Sequence, residues 1–313
     1  MSNLSKPYFY DEQAAYDFVE SKLWPDGPTC PKCGENERVN KMNGKSTRIG
    51  LYKCYECKKP FTVKIGTVFE SSHVKMHVWL QAIHLVASSK KGISSNQLHR
   101  TLGVTLKTAW FMSHRIRLAM NIDDGEQFGS GGGTVEADET FIGTSYKKRA
   151  KDRGYGHKHK VLSLLDRDSK RTRSMVVDDL RAGTIQPILK ANVSKDAKLM
   201  TDEAQHYAFA KKYFADHKSV SHSTGEYVFA FDKSQHTNTI EGFFSVFKRG
   251  MKGIYQHCGH HHLHRYLQEF DFRYNYRIAT GVGDEQRAEI LLQGVKGKRL
   301  TYQTASERLP APQ

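Results

Sequence analysis

Between Lys75 and about Met120, apolar side chains recur at three and four positions: Val78, Trp79, Ala82, Ile83 and Val86, then Leu98 and Leu102, then Ala109, Met112 and Ile116. That period belongs to helices with one buried face. Two turn signals, Lys90-Lys91-Gly92 and Leu102-Gly103-Val104-Thr105, divide the run into three helices, with Ser94 and Thr105 placed to act as N-caps. An earlier amphipathic run over Asp11 to Leu23 predicts a lead-in helix, closed by Trp24-Pro25-Asp26-Gly27-Pro28. Beyond residue 134 the pattern changes to short β-like runs, Thr134 to Gly143, Val161 to Asp166, Arg173 to Val177, Lys198 to Thr201 and Glu226 to Phe231. Helical runs at Thr184 to Ala191, Ala204 to Phe214 and Thr237 to Lys248 are interleaved with them. Strands first, then strands alternating with helices, predict a mixed sheet with helices on its faces, so the chain is expected to be an α/β multidomain protein. Gln127 to Thr134 contains Gly-Ser-Gly-Gly-Gly and reads as a flexible linker, and the tail after Leu300 reads as disordered.

Cysteine spacing adds a metal site to this outline. Cys30-Pro31-Lys32-Cys33 and Cys54-Tyr55-Glu56-Cys57 form two C-x2-C knuckles, and the gap between them suits a β-hairpin. Four thiolates so spaced predict a structural Zn(II) ribbon, and reducing conditions favour metal binding over disulfides for close pairs of this kind. Cys258 stands alone and reads as a packing thiol on a helix.

Charge points to the partner. With 48 basic and 33 acidic side chains the formal net charge is +15, and an excess of that size suits a polyanion whose counterions are released on binding. Double-stranded DNA is the expected partner, because no run approaches the roughly 18 to 20 apolar residues of a membrane span and the start lacks a secretory signal. A cytoplasmic protein is the expectation. The short helix, Gly-containing turn and longer helix over residues 94–120 have the shape of a helix-turn-helix, whose last helix would present Lys107, His114, Arg115 and Arg117 to the major groove. A second basic segment, Tyr146 to Lys160, holds Lys147, Lys148 and Arg149, which are expected to meet phosphates rather than bases.

Three places could carry chemistry. Asp138 sits mid-strand in VEADETFIG, where alternation sends Val135, Ala137 and Phe141 to one side and Glu136, Asp138 and Thr140 to the other. Asp202 closes the run Lys198-Leu199-Met200-Thr201 at the C-terminal end of a strand, where α/β sheets tend to place ligands. In HTNTIEGFFSVFKRG, Thr237 can cap a helix that sets Asn238, Glu241, Ser245 and Lys248 on one face, with Phe243, Phe244 and Phe247 on the packing side. Carboxylates from separate elements that hold two divalent ions about 4 Å apart can activate one phosphodiester oxygen and stabilise another. Of the lone histidines, His157, His159 and His206 read as surface or packing residues, and His236 is the one beside the candidate helix start. The His260-His261-His262 run reads as the approach to a helix rather than a second metal site.

These segments, VEADETFIG, TDEAQHY and HTNTIEGFFSVFKRG, with the later HLHRYLQEFDFRYNYR and the Trp-Pro-Asp-Gly lead into the ribbon, resemble in order the signatures of the ISXO-like insertion-sequence DDE transposases. The resemblance implies an RNase H-like catalytic core behind a zinc ribbon, and with the residue reading it divides the chain into a lead-in helix (1–29), a zinc ribbon (30–66), a helix-turn-helix (74–122), a Gly-rich linker (123–133), the catalytic domain (134–300) and a disordered tail (301–313). It implies an enzyme that binds the terminal inverted repeats of its element, cleaves a strand with water and joins the freed 3′-hydroxyl to target DNA. Asp138 and Asp202 match the first two metal-binding acids, and Lys248 the basic residue after the third. The third ligand is open between Asn238 and Glu241; an anionic carboxylate holds Mg(II) more strongly than an amide oxygen, which favours Glu241. Hard oxygen ligands accept Mg(II) or Mn(II), and joining two ends implies a homo-oligomer on DNA. A DNA-binding regulator derived from such an enzyme, or another RNase H-like nuclease, are the alternatives.

Overall fold

The computed structural model describes residues 3–122, 125–144, 157–220 and 236–301. Lys147, Lys148 and Arg149, the strand expected at Glu226 to Phe231, and the end of the chain past Thr301 lie outside the described residues. The rest divides into two compact units: one drawn from Met1–Ser89, Ile93–Asn121 and Gly283–Gln313, the other from Lys90–Gly92 and Ile122–Val282.

The first unit begins with α1 (Glu12–Leu23), capped by Asp11, whose side chain accepts the Ala14 N–H at 2.7 Å. A small antiparallel sheet follows, in the order β1 (Val39–Lys41), β2 (Tyr52–Cys54), β3 (Pro60–Phe61). Its few residues cannot make a large core, so aromatics do the packing: Trp24 stands edge-on to Tyr52 and Phe61 at 5.4 and 5.8 Å. The Tyr52 hydroxyl donates to Glu20 of α1 at 2.8 Å, tying ribbon to helix. Next come α2 (Met76–Ser88), α3 (Ser95–Leu102) and α4 (Leu106–Ala119). The side chains of Ser94 and Thr105 cap α3 and α4, and Gly103 ends α3 in the left-handed conformation at φ +65°.

The second unit is a five-stranded sheet. β4 (Thr134–Ile142) lies at its centre; β5 (His159–Asp166) and β6 (Arg171–Val177) extend it antiparallel, while β7 (Lys198–Asp202) and β8 (Asp216–Val220) run parallel to β4 on the other side. One face packs Val135, Ala137, Leu162 and Leu164 under Ile185 and Leu189 of α5 (Ala182–Asn192), together with Tyr207, which stands just before α6 (Ala210–Tyr213). The other packs Ile142, Val161 and Leu165 under Ile240, Phe243 and Phe247 of α7 (Asn238–Gly250) and Leu267 and Phe270 of α8 (Leu263–Asn275). Helices therefore cover both faces of a mixed sheet. β8 has no counterpart in the sequence prediction, since Asp216-His217-Lys218-Ser219-Val220 is a largely polar edge strand without the apolar alternation of a half-buried one. The helix expected at Ala204 to Phe214 is a 3-10 turn at Gln205–Tyr207 followed by the short α6.

Two expectations about boundaries need correction. The Gly-rich stretch is not a free linker: Phe128 is buried in the second unit's core, bridges to Val193, and exchanges backbone hydrogen bonds with Asn192 and Ser194. Gly129, at φ +73°, is required there because a Cβ would stand 2.5 Å from the Ala197 methyl. Glycine in this segment serves tight turns and close backbone approach rather than flexibility. The last helix, α9 (Asp284–Gln293), belongs to the first unit, although the sequence reading runs the last domain to residue 300. Arg287 donates to the Ala87 carbonyl at 3.0 Å, and Lys298 to those of Ala119 and Asn121 at 3.2 and 2.6 Å. A helical period shows that a face is buried, not which neighbour buries it.

Candidate metal centres and nucleic-acid interface

The four knuckle cysteines converge. Their sulfurs all lie within 4.8 Å of one another, with Cys30 Sγ to Cys57 Sγ at 3.7 Å and Cys33 Sγ to Cys54 Sγ at 3.6 Å. Zn–S bonds of about 2.3 Å in a tetrahedron require sulfur separations of about 3.8 Å, and the two closest pairs match that spacing, so the donor set fits a zinc ion. Cys258 lies apart, on the core formed by α7 and α8.

On the sheet, β4 and β7 run parallel with Glu136 opposite Met200, and two positions further along each strand stand Asp138 and Asp202. The strand register alone brings these two aspartates together. Glu139, the next residue, joins them: one carboxylate oxygen from each of Asp138, Glu139 and Asp202 falls within 4.8 Å of the others. Crowding has an electrostatic signature. Burial pushes the Asp138 carboxyl up to about 7, with the charges of Glu139, Asp202 and Glu241 acting in the same direction and a hydrogen bond from the Glu139 N–H opposing them. Mutual repulsion of carboxylates is what a divalent cation relieves, so the donor set fits a hard metal ion.

Glu139 was not among the residues singled out from the sequence. By alternation it faces away from Asp138, onto the side of Val135 and Ala137. There it accepts the Tyr207 hydroxyl and lies 2.8 Å from His206 Nε2. Burial opposes a charge on His206, but the hydrogen bond and charge of Glu139 outweigh it and raise the imidazole. His206 is therefore a packing residue tied to an acid. A carboxylate on the apolar side of a strand is the signal that could have found this arrangement.

α7 brings Glu241 and Lys248 to the same sheet face as Asp138. Glu241 lies outside the tight trio, yet its charge is felt at Asp138. Burial lowers the Lys248 ammonium, and the nearby Lys252 and Lys158 act likewise, against Asp138 and Glu241. Asn238, the first residue of α7, is exposed. Thr237 does not cap this helix with its side chain, contrary to the sequence reading. The cap comes from β4: Glu136, which is 0% exposed, accepts the Ile240 N–H at 2.8 Å. Its other oxygen accepts Arg167 Nε at 2.6 Å, and Arg167 also donates to the His236 carbonyl at 2.5 Å. His236 thus belongs to the support of α7, with burial first and Arg167 second lowering its imidazole.

The residues expected to contact DNA divide. Lys107 is exposed near the start of α4. Arg115 and Arg117 are 5% and 2% exposed, which contradicts a groove-facing role for them. Arg115 donates to the carbonyls of Val68 and Glu70 at 2.7 and 2.9 Å, and Arg117 to Ser113 Oγ at 3.0 Å. The helical period places them on α4, but their long side chains turn inward, Arg115 to backbone carbonyls and Arg117 to the Ser113 hydroxyl. No helix among the described residues is long and apolar enough to cross a membrane.

A mixed sheet with clustered carboxylates at its centre, preceded in the chain by a four-cysteine ribbon, defines the class: an α/β domain whose acids could hold a divalent metal, joined to a zinc-ribbon-like module. Comparison gives the family. Residues 131–275 match the ISXO2-like transposase domain, and residues 10–60 match the transposase zinc-ribbon domain. A protein of Halobacterium salinarum, described as an uncharacterized protein in transposable element ISH50, is 25% identical over 286 residues, spanning 85% of this chain and 91% of that protein. Along the chain, a transposase zinc-ribbon domain is thus followed by an ISXO2-like transposase domain, the arrangement of an insertion-sequence transposase.

Proposed function

We propose that this protein is a DDE-type DNA transposase with an RNase H-like core, which binds the ends of its insertion sequence and carries out strand cleavage and strand transfer. The observation that carries the reading is the parallel register of β4 and β7, which sets Asp138 and Asp202 side by side beneath the helix bearing Glu241 and Lys248. The sheet order β6-β5-β4-β7-β8, antiparallel then parallel, with helices on both faces, supports the RNase H-like assignment. Asp138, Asp202 and Glu241 would hold Mg(II) or Mn(II), and a pair of such ions, when bound, activates the attacking oxygen and stabilises the leaving one. Glu241 is preferred to Glu139 as third ligand because α7 packs on the sheet face that carries Asp138, whereas Glu139 has one oxygen engaged by Tyr207 and His206. Lys248, close enough to feel the charges of Asp138 and Glu241, would hold a phosphate beside the acids.

The four cysteines would hold Zn(II) as a structural ion. Ribbon and helix-turn-helix, the latter formed by α3, the Gly103 turn and α4, would recognise the element ends, with Lys107 exposed for phosphate contact. Lys147, Lys148 and Arg149 are proposed as further phosphate contacts, and a homo-oligomer on DNA follows from the need to join two ends. A chain acting on chromosomal DNA would work in the cytoplasm. The test is Mg(II)-dependent nicking of a duplex carrying the element's ends. Asp138→Asn and Asp202→Asn should bind that duplex as wild type does and lose cutting by at least about 100-fold, a typical loss for a removed charge-stabilising group. Wild-type binding without any cutting would leave a DNA-binding regulator as the function.

A further inference from the structure

We infer that Glu136, which belongs neither to the acid cluster nor to the expected metal ligands, is the positioning residue that fixes the third acid relative to the first. The inference rests on the metal-site reading above and specifies how that site is assembled.

Glu136 and Asp138 share one face of β4, two residues apart. A wholly buried carboxylate there would be costly unless both oxygens were engaged, and both are: Oε2 by the Ile240 N–H at 2.8 Å, Oε1 by Arg167 Nε at 2.6 Å. Ile240 is the third residue of α7, and its amide is one of the donors that a helix start leaves without an intrahelical acceptor. Helices usually satisfy such a donor with the side chain of the preceding N-cap residue, which lets the helix move as a unit with its own cap. Here the acceptor comes from the strand that carries Asp138, so the helix start is fastened to that strand. Glu241 directly follows the fastened amide.

Arg167 completes the clamp. It stands where β5 ends, its own N–H donates to the Thr134 carbonyl at the beginning of β4, and its guanidinium joins Glu136 to the His236 carbonyl just ahead of α7. One carboxylate and one guanidinium therefore define the path of the chain through residues 236–241. Glu136 touches no reacting atom, and its consequence is the spacing between Asp138 and Glu241. Groups that orient ligating carboxylates typically change metal affinity about 10- to 100-fold when removed.

The test is Mn(II) binding to the full-length zinc-loaded protein without DNA, followed by the electron paramagnetic resonance signal of free Mn(II), for wild type, Glu136→Gln, Arg167→Lys and Asp138→Asn. Glu136→Gln keeps shape and volume but loses the charge and sets an amide group against a donor; it should weaken Mn(II) about tenfold. Arg167→Lys keeps the charge but cannot hold both Glu136 and the His236 carbonyl, so it should weaken Mn(II) about threefold, which supplies the test if Glu136→Gln does not fold. Amide exchange over residues 237–244 should quicken in both variants. Unchanged Mn(II) affinity in the folded clamp variants, with Asp138→Asn losing it, would overturn the positioning role alone. Undiminished Mn(II) binding by Asp138→Asn would overturn the metal site on which that role depends.

Discussion

Asp271 shows how a buried acid outside the candidate site sets the stability of its unit. It projects from α8 onto β6, where it accepts the Thr172 hydroxyl at 2.6 Å and both the hydroxyl and N–H of Ser174 at 2.8 Å. Burial nevertheless pushes its carboxyl up to about 6, with those hydrogen bonds and Arg173 pulling the other way. Because the folded value lies above the unfolded one, the contribution is fully present below about pH 4 and is lost as the pH rises through about 6. Asp271→Asn should flatten the fall in melting temperature between those pH values, since its amide can still accept from the Ser174 N–H and donate to a hydroxyl. A slope parallel to wild type would contradict this. At the same scale, Asp138 and Asp202 were legible in the sequence because each breaks an apolar strand or closes one. Glu136 and the partners of Glu139 were not, because Ile240 and Tyr207 are about 100 and 70 residues away from these acids along the chain and no local pattern names them.

Among elements, the helices of the first unit follow their periodicity and caps closely, while the roles of their charged side chains do not. Arg115 and Lys107 lie two turns apart on α4; the first is consumed by the carbonyls of Val68, Glu70 and Leu300, and the second is exposed. Arg115→Ala would leave buried carbonyls without a donor and should destabilise the first unit by about 2 to 4 kcal/mol in urea unfolding. Lys107→Ala should leave the unfolding curve within about 0.5 kcal/mol of wild type and lower the salt dependence of DNA binding by about one counterion. The reverse pattern, a stable Arg115→Ala with lost DNA binding, would restore the groove-facing role that its burial denies. Polar composition misleads at this level as well: Gly-Ser-Gly-Gly-Gly reads as a linker, yet the neighbouring Phe128 is anchored in the core and Gly129 admits no side chain. β8 escaped notice for the related reason that an edge strand can be polar throughout.

For the whole molecule, the two units divide the work that the composition implies. The net charge of +15 suits a polyanionic partner such as DNA; one unit carries the cysteine ribbon and helices, and the other carries the acids on a mixed sheet. Order of segments along the chain is what sequence conveys best, and the transposase zinc-ribbon and transposase domains match in the expected order. The return of α9 to the first unit is what it conveys least, because a contact between distant segments leaves no periodic trace. In the proposed function, the acids carried by β4, β7 and α7 perform strand transfer. The most direct measurement is the joining of a precut 3′-hydroxyl end of the element to a target duplex in Mg(II), by wild type and by Asp138→Ala, Asp202→Ala, Asn238→Ala, Glu241→Ala and Glu139→Ala. Joining by wild type, with loss in the two aspartate variants and in Glu241→Ala despite retained DNA binding, is the expected result; joining that survives removal of Asp138 or Asp202 would contradict it.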